Sequence, residues 1–343
     1  MIHSSKPRVS VLLPVRNGMP FLPLAVDSIL EQTFQDFELL VIDDGSSDET
    51  PAYLKSVDDP RLVYIRINRS PDIVSGLTLV LNEGLKRARG DLVARMDADD
   101  IANNDRFKEQ IAMFEIFPRL VAASVQFDRI DESGQVIDRN HDFTADSALR
   151  FYMLFSPCML HPGLMFKREQ ALLAGGYTAE FDVAEDYEFY TRIAKYGTFA
   201  NSDKVLMRYR TSKNSVSSRK AERQLRQSSI IASRYASSII DGITFDQWQS
   251  VRQVCVGAFP VQSHVPNISR WFRIASKSFE AHFPEDRELR VCVRLWMERL
   301  RSRCFALAKA NFASPYRCAF WLFNANNLGF KIPNPLKALR ISS

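Results

Sequence analysis

The segment Leu92-Val93-Ala94-Arg95-Met96-Asp97-Ala98-Asp99-Asp100 sets the tightest limit on what this chain can fold into. An apolar run stops abruptly at three carboxylates within four residues. Such a run suits a buried strand of a parallel sheet, and acids at its tip place a site just beyond the strand's carboxyl end. Carboxylates held this close repel one another unless a cation lies among them. A hard divalent ion that also holds a substrate's phosphates meets that need through oxygen ligands. An isolated D-x-D is more often a solvated acidic turn, so the surrounding motifs must decide.

Those surroundings alternate between strand and helix signals, which points to an α/β sheet. Strands are expected at Val9–Pro14, Phe37–Ile42, Leu62–Ile67, Leu92–Met96 and Leu120–Phe127. Helical spacing predicts helices over Phe21–Gln32, Leu77–Ala88 (with Gly90 as its stop), Arg106–Phe117 and Tyr187–Tyr196. Asp131-Glu132-Ser133-Gly134 reads as a hairpin turn. From about residue 218 the texture becomes long, Arg-rich and helical, with a domain boundary expected within 211–222.

Charge divides the same way. Residues 1–204 hold 22 Lys+Arg against 32 Asp+Glu, whereas residues 205–343 hold 23 against 8. An acidic half that binds a nucleotide needs a cation. The basic half can face anionic lipid, nucleic acid or the acidic half itself. No recognition motif for nucleic acid accompanies the charge, so nucleic acid is not an expected partner. No apolar stretch approaches the roughly 18 residues of a spanning helix. Residues 1–7 carry no apolar signal region. The five cysteines (Cys158, Cys255, Cys292, Cys304, Cys318) are odd in number and lack C-x-x-C spacing, as expected of reduced thiols. A cytoplasmic protein, or one peripheral at the inner face of the membrane, is the expectation.

Three acidic clusters stand out: Asp43-Asp44, Asp97–Asp100 and Glu185-Asp186. The first two follow strands and should meet on one rim of the sheet, together with Pro14-Val15-Arg16-Asn17-Gly18. Neither G-x-G-x-x-G after the first strand nor G-x-x-x-x-G-K-S/T is present, which argues against a Rossmann dinucleotide site and a P-loop.

In order and spacing these blocks resemble the family 2 glycosyltransferases of GT-A fold, over roughly residues 8–217. The resemblance is carried by Val9–Asn17, Ser28-Ile29-Leu30-Glu31-Gln32-Thr33, Asp43–Asp48, Leu81-Asn82-Glu83-Gly84 and Arg95–Asp100. It continues through Asp105-Arg106-Phe107 with Gln110, His161-Pro162, Gly175-Gly176-Tyr177, Ala184–Tyr187 and Tyr209-Arg210. It implies a mixed, mostly parallel sheet flanked by helices (residues 1–217) and a mainly helical basic extension (residues 218–343) for acceptor or membrane association.

It also implies roles. Pro14 and Arg16 would contact the nucleoside, and Asp44 would accept from a uracil ring with Asp43 beside it. Asp97 would serve the ribose or sugar side and share the metal, Mn²⁺ or Mg²⁺, with Asp99 as its direct ligand. Asp186 would be the base that deprotonates an acceptor hydroxyl, giving inversion at the anomeric carbon. Read locally, Glu185 and Asp186 are also first-turn acids favoured by a helix dipole. The implied donor is a nucleoside diphosphate sugar, UDP-linked, and the acceptor a glycan or lipid-linked glycan of cell-surface polysaccharide synthesis.

His161 is either a packed loop residue or a group near the donor phosphates, and Tyr177 is read as packing. Trp248, Trp271, Trp296 and Trp321 are read as core or interface. Two positions depart from the family pattern: Ser212 stands where many relatives carry a His, leaving Arg210 or Lys213 for the diphosphate, and Ser75-Gly76 replaces Asn-Gly. Arginines mixed with Leu289, Val293, Trp296 and Leu300 over Glu288–Lys309, followed by Tyr316, Phe320 and Phe323, suit an amphipathic lipid surface or helices that pack inward. Two rivals remain. A sugar-nucleotide pyrophosphorylase would need a Gly-rich basic N-terminal loop, absent here. A non-catalytic nucleotide- or glycan-binding scaffold with a decayed site would be expected to lose its acids, and Asp44, Asp97, Asp99 and Asp186 are all present.

Overall fold

The computed structural model describes residues 6–67, 76–211, 220–256 and 265–311. Two compact units, Met1–Ser228 and Ser229–Ser343, make up the chain.

The first unit is built on β1 (Val9–Val15), buried along its whole length. It pairs in parallel with β2 (Phe37–Asp43) on one side and β4 (Leu92–Arg95) on the other, and β3 (Leu62–Arg66) extends β2 in parallel. A strand buried throughout needs cover on both faces, and alternation of side chains supplies it. Val9, Val11, Leu13 and Val15 share one apolar cluster with Leu22, Val26 and Ile29 of α1 (Leu22–Leu30) and Phe107 and Ile111 of α4 (Arg106–Ile116). Leu12 and Ile42, of opposite parity, meet α3 (Gly76–Arg87) at Gly84. A Cβ there would lie 2.9 Å from Ile42 and 3.0 Å from Leu12. The Asn82–Gly84 motif thus contains a point of close helix–sheet approach.

Beyond β4 the sheet is mixed. β8 (Met165–Lys167) runs antiparallel between β4 and β6 (Leu120–Ile130). β6 is parallel to the long β9 (Thr198–Arg210), and β9 is antiparallel to β5 (Ile101–Ala102). β7 (Val136–Asn140) folds back on β6 through the expected turn, where the Asp131 carboxylate accepts the N–H groups of Ser133 and Gln135. Among the described residues, nine strands form one sheet in the order β3-β2-β1-β4-β8-β6-β9-β5, with β7 on β6. The unit also holds α2 (Thr50–Ser56), α5 (Asp146–Tyr152), α6 (Arg168–Leu173) and α7 (Glu185–Ile193). The division between units falls inside α8 (Ala221–Ile239).

The second unit contains α9 (Phe245–Val256), α10 (Val265–His282) and α11 (Arg287–Asn311). Trp248, Val251, Ile268, Phe272, Leu289, Trp296 and Leu300 are buried there. Trp296, 1% exposed, is core and not an interfacial anchor, because its helix turns the apolar stripe inward. Trp271 is half-buried. Cys158, Cys255, Cys292 and Cys304 are free and buried. Trp321, Tyr316, Phe320, Phe323 and Cys318 lie outside the described residues. Among the described residues no helix is long and apolar enough to cross a membrane.

Candidate active site

Register places the rim. Val15 lies opposite Asp43 and Leu12 opposite Arg95, so the carboxyl ends of β1, β2 and β4 come together. The two loops after β1 and β2 are laced to each other. Asn17, in the left-handed region at φ 53°, donates its N–H to Ser46 Oγ and accepts the Ser47 N–H. Gly18 N–H donates to Thr50 Oγ1 and Met19 N–H to Asp48. Asn tolerates that backbone region better than most residues with a Cβ. Pro14 is buried within β1 and Arg16 is exposed just beyond it.

Asp43 and Asp44 sit differently from each other. Asp43 is fully buried, and its carboxylate accepts from Ser46 N–H, Tyr64 Oη and Arg66 Nη1 at 2.7, 2.9 and 3.2 Å. It braces the loop. Asp44 is buried at the rim, its N–H donating to the Val15 carbonyl at 2.8 Å.

Past β4, carboxylate oxygens of Asp97, Asp99 and Asp100 lie within 4.8 Å of one another. Arg95, 2% exposed, forms an ion pair with Asp97. Desolvation and the Asp97 charge push the Asp99 carboxyl up to about 6. Asp100 is held well above the usual carboxylate range by burial and by both neighbours. One of its oxygens accepts the Arg210 N–H at 2.7 Å, and the other, buried, has no partner among the described residues. Three hard oxygen donors under mutual repulsion, one of them orphaned, fit a divalent cation.

The cluster is gripped from several elements. Arg210, closing β9, donates to the Asp99 carbonyl and to those of Asp131 and Glu132, and its guanidinium lies 4.3 Å from the Phe21 ring centroid. These contacts make it a clamp on the acidic loop. Arg106 and Gln110 tie the end of β4 to the neighbouring strands, Arg106 donating to the carbonyls of Arg95 and Leu164 and Gln110 to those of Ala123 and Gly163. Gln32 donates to the Asn103 carbonyl and accepts the Phe107 N–H.

The third acidic group opens α7. Glu185 is buried and its carboxyl is pushed up to about 8 by desolvation and by Asp186. Burial also raises Asp186, whose carboxylate accepts the Tyr187 N–H at 2.7 Å. Both acids feel the charges of Arg95 and Asp97, which brings α7 and the D-x-D into one electrostatic site. His161 sits in an aromatic group, its Nε2 3.0 Å from Tyr177 Oη and its ring packed near Tyr190 of α7. Burial and the Arg95 charge hold it well below its usual pKa, so it is neutral. Ser212, Lys213 and Ser75 lie outside the described residues.

Residues 10–171 match the family model described as glycosyl transferase family 2. The chain carries a family 2 glycosyltransferase domain. It is 28% identical over 191 residues to the O-antigen biosynthesis glycosyltransferase WbnJ of Escherichia coli, covering 54% of this chain and 71% of WbnJ. It is 26% identical over 224 residues to WfgD of E. coli, named a UDP-Glc:alpha-D-GlcNAc-diphosphoundecaprenol beta-1,3-glucosyltransferase, covering 64% and 83%. In fold it is similar to residues 1–349 of TarS from S. aureus, determined in complex with UDP-GlcNAc, with TM-score 0.60 and 15% identity over 90% of this chain and 93% of that one. The fold is GT-A, and the chain is a glycosyltransferase.

Within the transferase site, the sequence pattern alone assigns Arg95 no role, and in it Gln32, Asn82, Arg106 and Gln110 are only marks of the family. The structure makes the last four braces. A signal for Arg95 did exist: a basic residue closing a buried strand must find an anion, and acids follow two residues later.

Proposed function

We propose that this transferase moves one sugar from a nucleoside diphosphate, UDP, to a hydroxyl of a growing glycan or lipid-linked glycan in cell-surface polysaccharide or glycolipid synthesis, with inversion. The carrying observation is the acidic cluster Asp97–Asp100 at the tip of β4, electrostatically joined to Glu185 and Asp186 at the start of α7. The name of the relative WfgD, with its UDP-linked donor and lipid diphosphate acceptor, supports the donor and acceptor class.

In this reading Pro14 and Arg16 line the nucleoside, Asp44 accepts the uracil imide N–H, and Asp43 holds their loop in place. Cytosine lacks that proton, so the contact also selects the base. Asp99 and Asp100, with Asp97 beside them, would hold Mn²⁺ or Mg²⁺; when bound, the ion offsets charge on the departing diphosphate. Asp186 takes the proton from the acceptor hydroxyl. The hydroxyl oxygen bonds to the anomeric carbon from the face opposite the diphosphate, and the carbon–oxygen bond to the diphosphate breaks with its electron pair. The raised pKa of Asp186 suits a base, and such a group contributes about 10²–10⁴-fold in rate.

Residues 1–217 form the catalytic domain in this reading, and residues 218–343 the part that meets acceptor or membrane. Arg290, Arg294, Arg301 and Arg303 are exposed on α11 while its apolar stripe is buried. For the described side chains of this helix, association with anionic lipid rests on charge, at about 1 kcal/mol per basic residue near the surface. Co-sedimentation with anionic vesicles at low salt and release at high salt is the expected result; failure to sediment at low salt rejects it.

The test of the reaction is nucleoside diphosphate release from UDP-, GDP- and dTDP-sugars with Mn²⁺ or Mg²⁺, with and without acceptor extracts. Turnover of a UDP-sugar, dependent on added metal and lost in Asp186→Asn, is expected. Undiminished turnover in Asp186→Asn removes it as base, and absence of UDP binding removes the donor assignment.

A further inference from the structure

The ion pair between Arg95 and Asp97 makes the two acids of the D-x-D unequal. Arg95 is fixed before its side chain begins. Its N–H donates to the Leu164 carbonyl at 2.8 Å, its own carbonyl accepts from Arg106 Nη2 at 2.8 Å, and its Cα pairs with Leu12 of β1. The side chain is buried and ends on Asp97. A guanidinium keeps its charge at any working pH, and its planar fork presents donors in fixed directions. Buried, it requires an anion, and among the described residues its ion pair is with Asp97.

Asp99 and Asp100 are placed otherwise. Asp99 keeps part of its surface open to solvent, Arg210 donates to its main-chain carbonyl, and its carboxylate has no hydrogen bond or ion pair among the described residues. Asp100 spends one oxygen on a backbone N–H and keeps the other without a partner. A second cation approaching Asp97 meets the directly paired charge of Arg95, whereas one approaching Asp99 and Asp100 meets two carboxylates that have no ion pair of their own among the described residues.

We infer that Arg95 is a positioning residue that sorts the D-x-D. By occupying a carboxylate oxygen of Asp97 it reserves that residue for hydroxyls of the ribose or the donor sugar and directs the divalent ion to Asp99 and Asp100. The inference rests on the donor and metal reading above.

Two variants test it, Arg95→Met, which removes the charge at similar length, and Arg95→Lys, which keeps the charge without the fork. Each is checked by circular dichroism and melting, then titrated with Mn²⁺ alone and with Mn²⁺ plus UDP, and assayed for donor kcat and KM. In Arg95→Met, Asp97 becomes a free additional ligand. Mn²⁺ affinity is therefore expected to hold or tighten while donor kcat/KM falls by about 10–100-fold, the usual effect of losing a group that orients a binding carboxylate. Arg95→Lys is expected to keep wild-type Mn²⁺ affinity with a raised donor KM. Parallel loss of Mn²⁺ affinity and turnover overturns the inference, because a purely structural arginine would damage both together. Should Arg95→Met fail to fold, the Lys variant decides by the same split. The Mn²⁺ titration needs no sugar donor. Wild type that binds Mn²⁺ but turns over no donor would therefore count against the reaction, while the response of the titration to Arg95→Met still decides this inference.

Discussion

Both ends of the Asn82 side-chain amide close on the backbone of Tyr177, Nδ2 donating to its carbonyl at 2.7 Å and Oδ1 accepting its N–H at 2.8 Å. This joins α3 to the segment that leads into α7 and holds Tyr177 where its hydroxyl meets His161. Gly176 makes room for the contact. It has φ +67°, and a Cβ there would stand 2.4 Å from Asn82 Oδ1. Asn82→Ala leaves two backbone groups without partners and is expected to cost about 1–3 kcal/mol. Gly176→Ala adds strain and displaces the amide, with a loss of similar size. Urea unfolding reads both, and a change under 0.5 kcal/mol in either would show the clamp to be idle.

Asp43 offers a sharper choice between two roles. Its carboxylate is enclosed and accepts three hydrogen bonds, one from a cation. Asp43→Ala is expected to destabilise by about 1–3 kcal/mol, since it leaves the Ser46 N–H and the Tyr64 hydroxyl without their acceptor while the exposed Arg66 turns to water. Weaker UDP binding should follow from the loosened loop. Normal stability with UDP binding abolished would instead mark Asp43 as a group that touches the nucleotide.

Burying Glu185 ties stability to pH. Its carboxyl sits near 8 when folded and near 4.5 when unfolded, so between those values the native state holds more protons. Stability then falls as pH rises. His161 acts in the opposite sense below about 6.5, because it stays neutral when folded and charges on unfolding. Between pH 6.5 and 8 His161 no longer opposes this trend, and the buried Asp100 carboxyl, also raised, acts in the same sense as Glu185. There the melting temperature of the metal-free protein is expected to fall with rising pH, and Glu185→Gln to flatten the slope. An unchanged slope in the variant would assign the effect to other groups.

Arg106 is buried with Gln110, two carbonyls and the sulfurs of Met96 and Met207 as its contacts. Burial and the nearby Arg95 bring its pKa down to about 9. Arg106→Met keeps volume but leaves the Arg95 and Leu164 carbonyls without this donor. A loss of about 2–4 kcal/mol is expected in urea unfolding, accompanied by lower donor kcat/KM because Arg95 is no longer pinned. Unaltered kcat/KM in a destabilised variant would separate Arg106 from the site.

Local sequence determined much of this protein. The strands around β1, β2, β3 and β4, the helices α1, α3 and α4 and the hairpin turn at Asp131 lie within a few residues of expectation, because apolar period and turn chemistry act over short range. The D-x-D was legible for the same reason. Other features were decided only by tertiary structure. Strand β8 is three residues long and β5 two, too short to carry a period, and β9 mixes Asp203, Lys204 and Arg208 into its run. These strands exist through their partners in the sheet. Asp43 and Asp44 are adjacent and identical, yet one braces Arg66 and Tyr64 while the other stays at the rim, a difference made by residues more than twenty positions away. The contrast between Asp97 and Asp99 is part local and part distant: Arg95 stands two residues before Asp97, whereas Arg210, which holds the Asp99 carbonyl, arrives from more than a hundred positions away. Charge placement in a low-dielectric site depends on which distant side chains arrive there, and no local pattern encodes that arrival.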